Sequence, residues 1–282
     1  MKLLRFGNIG EEKPGAIDSD GIIRDLSDII NDVNGHSITD DALENLRKIN
    51  LKSLPAISND TRIGPCIGSV GKFLSIGLNY SDHAAETGLS IPEHPILFLK
   101  ATSSIVGPND TVYMPRGSTK SDWEVELGVI IGKKAKYVKE TDALNYVAGY
   151  CIVNDVSERE FQTELSGQWT KGKSCDTYGP TGPWLVTRDE IFDPQRLSMS
   201  LDLNGKRMQD GNTKTMIFTV AQIIEHLSSL MTLYPGDLIS TGTPPGVGMG
   251  IKPNPIFLKS GDIMELEIEH LGTQRQIVDQ DK

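Results

Sequence analysis

Residues 123–132 read Trp-Glu-Val-Glu-Leu-Gly-Val-Ile-Ile-Gly, and their alternation is that of a β-strand. Positions i and i+2 of a strand share a face, so Glu124 and Glu126 are expected to point the same way. An arbitrary Glu-x-Glu is more often a solvent-facing strand edge, because glutamate is normally exposed. Here Trp123, Val125 and Leu127, followed by Val129-Ile130-Ile131, predict a strand buried on both faces downstream. Two like charges side by side there repel unless something cationic lies between them. Hard oxygen ligands at this spacing suit Mg²⁺ or Mn²⁺.

A third carboxylate, Asp155, closes the strand-like run Val147 to Val153 immediately before VSEREFQTEL, which reads as a helix. Asp155 with Glu158, or Ser157 with Glu160, would equally well form a capping box at the start of that helix. The residues alone leave ligand and cap both open. A helix opening at Asp155 would bring Arg159 and Gln162 onto one face by their three-residue spacing, suited to an anionic ligand.

Further out, residues 1 to about 66 read as a small module. It comprises strand-like LLRF, a hairpin GAID-SDG-IIRDLS turning at Asp18 to Gly21, and a helix near Asp40 to Ile49. After the linker SNDTRIGPCIG come many short β-type runs, from KFLSIGL to TQRQIV. A helical stripe in TVAQIIEHLSSLM (Val220, Ile223, Ile224, Leu227, Leu230, Met231) stands behind a Thr219 cap with Gln222 in the capping-box position, and reads as core. Strands outnumber helices without βα alternation, and neither GxGxxG nor GxxxxGK[ST] occurs, which disfavours dinucleotide-binding and P-loop folds. The expectation is a β-rich α+β fold with a small N-terminal domain (1–66) and a larger catalytic domain (67–282).

Composition narrows the function. Of 282 residues, 38% are hydrophobic and 23% charged, and no apolar run approaches the roughly 18 residues of a membrane span. The opening residues carry no signal-peptide core, and the three cysteines (Cys66, Cys151, Cys175) lack CxxC spacing, so a cytoplasmic protein is expected. A net charge of −10 disfavours nucleic acid. It also means that a bound acid needs a cation inside the site.

Six separated motifs occur in order: IGLNYSDHAAE (76–86), PILFLK (95–100), DWEVELGVIIG (122–132), NDVSEREFQ (154–162), GKSCDTYGPTGPW (172–184) and ISTGTPPGVG (239–248). On these the chain resembles the fumarylacetoacetate hydrolase family from about Gly71 to the C-terminus. The resemblance implies a mixed β-roll catalytic domain, a homodimer, and one divalent ion held by Glu124, Glu126 and Asp155. His83 and Glu86 match the family's water-activating pair. Their three-residue spacing allows contact on one face of a short helix stopped by Gly88, although that spacing alone would suit a surface pair. Lys173 matches an active-site lysine, Arg159 and Gln162 match substrate-facing positions, and Thr243 matches a grip on the substrate carboxylate. Larger members add a metal aspartate just before the histidine; Asn79-Tyr80 stands in that stretch here, so three protein ligands are expected.

The implied activity is cleavage of a C–C bond in a 2,4-dioxo acid, an acylpyruvate or a diketo-deoxy sugar acid, to give pyruvate and a carboxylic acid. Length and the N-terminal motifs look most like bacterial members acting on 2,4-diketo-3-deoxy sugar acids, a group often labelled ureidoglycolate lyase. Oxaloacetate decarboxylase, ureidoglycolate lyase, and isomerase or hydratase of 2-oxo acids share the enolate chemistry and remain alternatives. A non-catalytic metabolite-binding relative is a further one.

Overall fold

The computed structural model describes residues 1–82 and 90–281. The N-terminal stretch forms β1 (Lys2–Phe6), β2 (Lys13–Ile17), β3 (Ile23–Asp25) and a helix, Asp40–Arg47. Next come β4 (Phe73–Gly77), β5 (Ile96–Lys100), β6 (Ile105–Val106), β7 (Val112–Met114), β8 (Ser121–Asp122) and β9 (Val125–Ile131). They are followed by β10 (Val147–Asn154), β11 (Ser157–Glu158), the short helix Thr170–Lys173 and β12 (Gly179–Thr187). The chain ends with β13 (Ser198–Leu203), β14 (Lys206–Asn212), the helix Val220–Leu230, β15 (Leu238–Ser240), β16 (Ile263–Ile268) and β17 (Gly272–Gln280).

Among the described residues a ten-stranded sheet runs β3-β2-β1-β12-β10-β9-β15-β4-β5, with β6 alongside β12, and a five-stranded sheet runs β14-β13-β16-β17-β7. Most neighbours are antiparallel, whereas β15–β4, β12–β6 and β17–β7 are parallel. The fold is therefore β-rich α+β with mixed pairing, as expected from the abundance of strands without regular helical crossovers. The first three strands extend the main sheet, because β1 pairs with β12. A division at residue 66 is thus a proposal about folding units, not a break in the sheet.

All seven residues of β9 are buried, and the strand divides two cores by its alternation. Leu127, Val129 and Ile131 pack with Leu201, Leu266 and Val278 of the five-stranded sheet. Ile130 faces the other way, toward Phe73, Cys151 and Leu238 and toward Val33, Leu43 and Leu46 of the N-terminal stretch. The acidic side chains lie on this second face.

Several local expectations hold. Asp18 closes the hairpin turn by accepting from the Asp20 and Ile22 amides (2.8 and 3.0 Å), and Gly21 takes the positive φ of +80° that the turn requires. Thr219 and Gln222 form the reciprocal capping box. Others are corrected. Leu230 is exposed and so leaves the stripe, whereas Met231, just beyond the helix end, still packs against the core. No helix opens at Asp155: β11 bridges to β8 first, and only a wide five-residue turn, Glu160–Glu164, follows. The capping boxes are absent as well, since Ser157 donates to the Asp155 carbonyl and Glu158 accepts from Ser118 and Ser121.

Candidate metal centre

Register builds the centre. Glu126 on β9 stands opposite Val153 on β10, and two residues on, the Asp155 amide donates to the Glu124 carbonyl (2.9 Å). Glu124 itself precedes the first residue of β9, but it keeps the alternation. Two residues from one strand and one from its neighbour therefore point to a single spot, with carboxylate oxygens of Glu124, Glu126 and Asp155 all within 4.8 Å of one another. All three are buried.

Carboxylates this close, fully ionised, repel by roughly 3.5 kcal/mol per pair at an effective dielectric constant of about 20. Basic side chains relieve part of this. Lys173 Nζ donates to Glu124 Oε2 (2.7 Å) and Asp155 Oδ2 (2.8 Å), and Lys100 Nζ donates to Asp155 Oδ1 (2.6 Å) and the Val156 carbonyl (3.2 Å). Arg159 Nη2 lies 2.8 Å from Asp122 Oδ2 and 2.7 Å from Glu124 Oε1, as an ion pair rather than an aligned hydrogen bond, while its Nε donates to Asp122. Counting Asp122, four carboxylates meet three basic groups.

The imbalance settles on Glu126. Burial, and then the neighbouring Asp155 and Glu124 charges, push its carboxyl well above the usual carboxylate range. Burial also opposes ionisation of Glu124, but Lys173 and Arg159 outweigh it and bring its pKa down to about 2. Burial alone would lower the Lys173 ammonium, and Asp155 and Glu124 reverse that, holding it charged. Lys100 is lowered, since burial exceeds what Asp155 restores. A hard divalent cation fits this donor set: three buried oxygen ligands, one of them unsettled by like charge until a cation joins it.

Glu126 is aimed from behind. Its Oε2 accepts from the Ser240 hydroxyl and from the Gly242 amide (2.8 Å). Gly242 has φ +100°, and a Cβ there would lie 2.7 Å from that of Asn79, so no other residue fits. Asn79 binds the Phe218 and Thr241 carbonyls and accepts from the Phe218 amide, serving as a structural brace. Three protein carboxylates, not four, thus converge among the described residues.

Four more of the expected residues, Arg159, Gln162, Lys173 and Thr243, also gather here. A cavity of about 190 Å³ has Glu124, Glu126, Arg159 and Lys173 at its polar end, with Gln162 and Thr243 beside them. Gln162 Oε1 accepts from Arg159 Nη1 (3.0 Å). Thr243 donates its hydroxyl proton to the Val125 carbonyl (2.9 Å) and accepts from Gln209, so that proton is not free to grip a substrate carboxylate. His83 and Glu86 lie outside the described residues.

Lys100 and Asp122 were not singled out from sequence, although both lie inside recognised motifs; a lone lysine or aspartate is ordinarily a solvated surface residue. Asp122 is buried and accepts from the Trp123, Gly248 and Met249 amides as well as Arg159, tying the 247–250 loop to the site.

Comparison with known proteins agrees with this geometry. Residues 72–279 match the family model for the C-terminal region of fumarylacetoacetate (FAA) hydrolase. A protein of Burkholderia lata, named as a hydrolase, is 61% identical over 276 residues, covering 98% of each chain. The solved structure of a fumarylacetoacetate hydrolase from Exiguobacterium antarcticum superposes with a TM-score of 0.85 at 33% identity, covering 100% of both chains. That of maleylpyruvate hydrolase from Sphingobium sp. SYK-6, in complex with manganese(II) and pyruvate, superposes with a TM-score of 0.84 at 28% identity, again over 100% of both.

Proposed function

Because this chain belongs to the fumarylacetoacetate hydrolase family, we propose that it is a metal-dependent hydrolase cleaving the C3–C4 bond of a small 2,4-dioxo acid to release pyruvate and a carboxylic acid. The observation that carries this reading is the convergence of Glu124, Glu126 and Asp155, of which the two glutamates and the adjoining Lys173 line a small cavity. The manganese and pyruvate named with the maleylpyruvate hydrolase point the same way.

Glu124, Glu126 and Asp155 would hold one Mg²⁺ or Mn²⁺, which when bound supplies Lewis-acid polarisation of the substrate's carboxylate and 2-oxo oxygens. His83, oriented by Glu86, takes a proton from water, and the hydroxide adds to C4; both roles rest on the motif at 76–86. The C3–C4 bond then breaks with its electron pair moving into the pyruvate enolate, and the proton on His83 is delivered to C3. General-base help of this kind is worth about 10²- to 10⁴-fold in rate. Lys173, kept charged by its carboxylate neighbours, stabilises the enolate oxygens. Arg159 braces Glu124 and positions Gln162 at the cavity wall.

Pyruvate release from a 2,4-dioxo acid, measured with Mg²⁺, with Mn²⁺ and with EDTA, tests the reading. Turnover should vanish with EDTA, return with either metal, and be absent in a folded Glu124→Ala variant. Turnover of oxaloacetate alone would instead make the enzyme a decarboxylase.

A further inference from the structure

The cavity is chemically two-ended. Its polar part is the carboxylate centre; the rest of the lining is mostly apolar, with Phe98, Trp169, Leu78, Ile76 and Met249. Phe98 and Trp169 meet edge to face with ring centroids 5.4 Å apart, and Lys173 Nζ lies 5.2 Å from the Phe98 ring centroid, so the aromatic wall begins where the polar end stops. The wall is built in. The Lys173 amide donates to the Trp169 carbonyl (3.2 Å), placing lysine and indole on one helical turn. Trp169 can lie against β4 only because residue 77 is glycine: a Cβ there would be 2.3 Å from the ring.

Among the described residues the cavity lining holds two cations, Lys173 and Arg159, and both sit at its carboxylate end. Lys173 binds Glu124 and Asp155, and Arg159 binds Asp122, Glu124 and Gln162. The Thr163 hydroxyl, at the same wall, donates to the Arg159 carbonyl (2.8 Å). A second carboxylate on the far end of a substrate would lose its water against aromatic faces, which carry partial negative charge, and meet no Lys or Arg there among the described residues. A row of hydroxyls would fare little better, since each buried one needs a partner. The volume of about 190 Å³ lies below the roughly 300–1,000 Å³ of pockets that take drug-sized ligands, which suits a short chain or one ring.

Resting on the hydrolase reading above, we infer that the preferred substrate is an acylpyruvate whose acyl end is uncharged and apolar, a short alkyl or aryl group, and that Phe98, Trp169 and Met249 determine this preference. Dicarboxylic and polyhydroxylated 2,4-dioxo acids are the disfavoured classes, which turns the substrate expectation away from sugar-derived acids.

The test compares kcat/KM for three metal-loaded reactions on 2,4-dioxo acids of similar length, ending in a phenyl or alkyl group, in a carboxylate, or in a polyol. The apolar acid should lead by about 10- to 200-fold, the range that pocket contacts of this kind supply. In Met249→Lys, which adds a cation to the lining, the carboxylate-ended acid should gain on the apolar one by about tenfold or more. Trp169→Phe should raise KM for the apolar acid more than for the other two. Parity of the three acids, or a lead for the charged or hydroxylated one, would overturn the inference while leaving the hydrolase reading intact. Absence of pyruvate release from all three would overturn the hydrolase reading itself.

Discussion

Glu126 carries the electrostatic deficit of the centre, and exchanging it for its neutral isostere separates two effects that act in opposite directions. In Glu126→Gln the metal-free protein should be at least as stable as the parent, since a buried like charge is gone. Metal should no longer protect it: a ligand at about 100 times its Kd stabilises the parent by about 2.7 kcal/mol, and thermal unfolding with and without Mn²⁺ should show that gain only in the parent. Glu124 behaves conversely. Its pKa is depressed from an ordinary 4.5 to about 2, so its pairings stabilise the fold above that ordinary value and are lost as pH falls from about 4.5 toward 2. Acid unfolding of the metal-free protein should be shallower across that window in Glu124→Gln. Lys100, fully buried against Asp155, is the third test: Lys100→Met leaves a buried carboxylate short of a partner and should lose about 3–5 kcal/mol by urea unfolding. The carboxylates were legible because their spacing matches the period of a strand. Lys100 and Asp122 were not, because nothing local distinguishes a buried lysine or aspartate from a solvated one; the partners that bury them lie dozens of residues away.

At the scale of elements, β9 and β10 could be read from continuous apolar runs, and the helix Val220–Leu230 from its cap and stripe. β14 was missed, although Asn204-Gly205, both at positive φ, marks the two-residue hairpin turn that leads into it. Its sequence KRMQDGN is polar because most of the strand is solvated. The segment after Asp155 misled for a different reason. VSEREFQTEL has good helical spacing, but β11 pairs with β8 and draws Ser157 and Glu158 into extended form, a tertiary preference that overrides the local one. The 241–246 loop supplies the test at this scale. Gly242→Ala should cost about 1–3 kcal/mol from backbone strain and weaken metal binding, read by calorimetric titration with Mn²⁺, because the amide that aims Glu126 must shift.

For the molecule as a whole, the small module and the catalytic region share one core. Leu3, Leu26 and Val33 pack in the same cluster as Phe73, Ile130 and Val153, and β1 covers the edge of β12. A fragment comprising 67–282 alone should therefore be poorly soluble or molten by near-UV circular dichroism, whereas the full chain folds. Composition set an expectation about partners, but it could not reveal this shared core, because the pairing of β1 with β12 joins residues more than 180 positions apart. The homodimer expected from the family resemblance is a proposal that sizing with light scattering decides.

The ammonium of Lys173, lodged between Glu124 and Asp155, bears on the life history of the molecule. A chain that brings its own counter-charge to the floor of its pocket can complete folding before any ion reaches it. On the proposed metal reading, loading would then be a late event, and whichever hard cation the surroundings supply in excess would be the one such a finished vessel takes up.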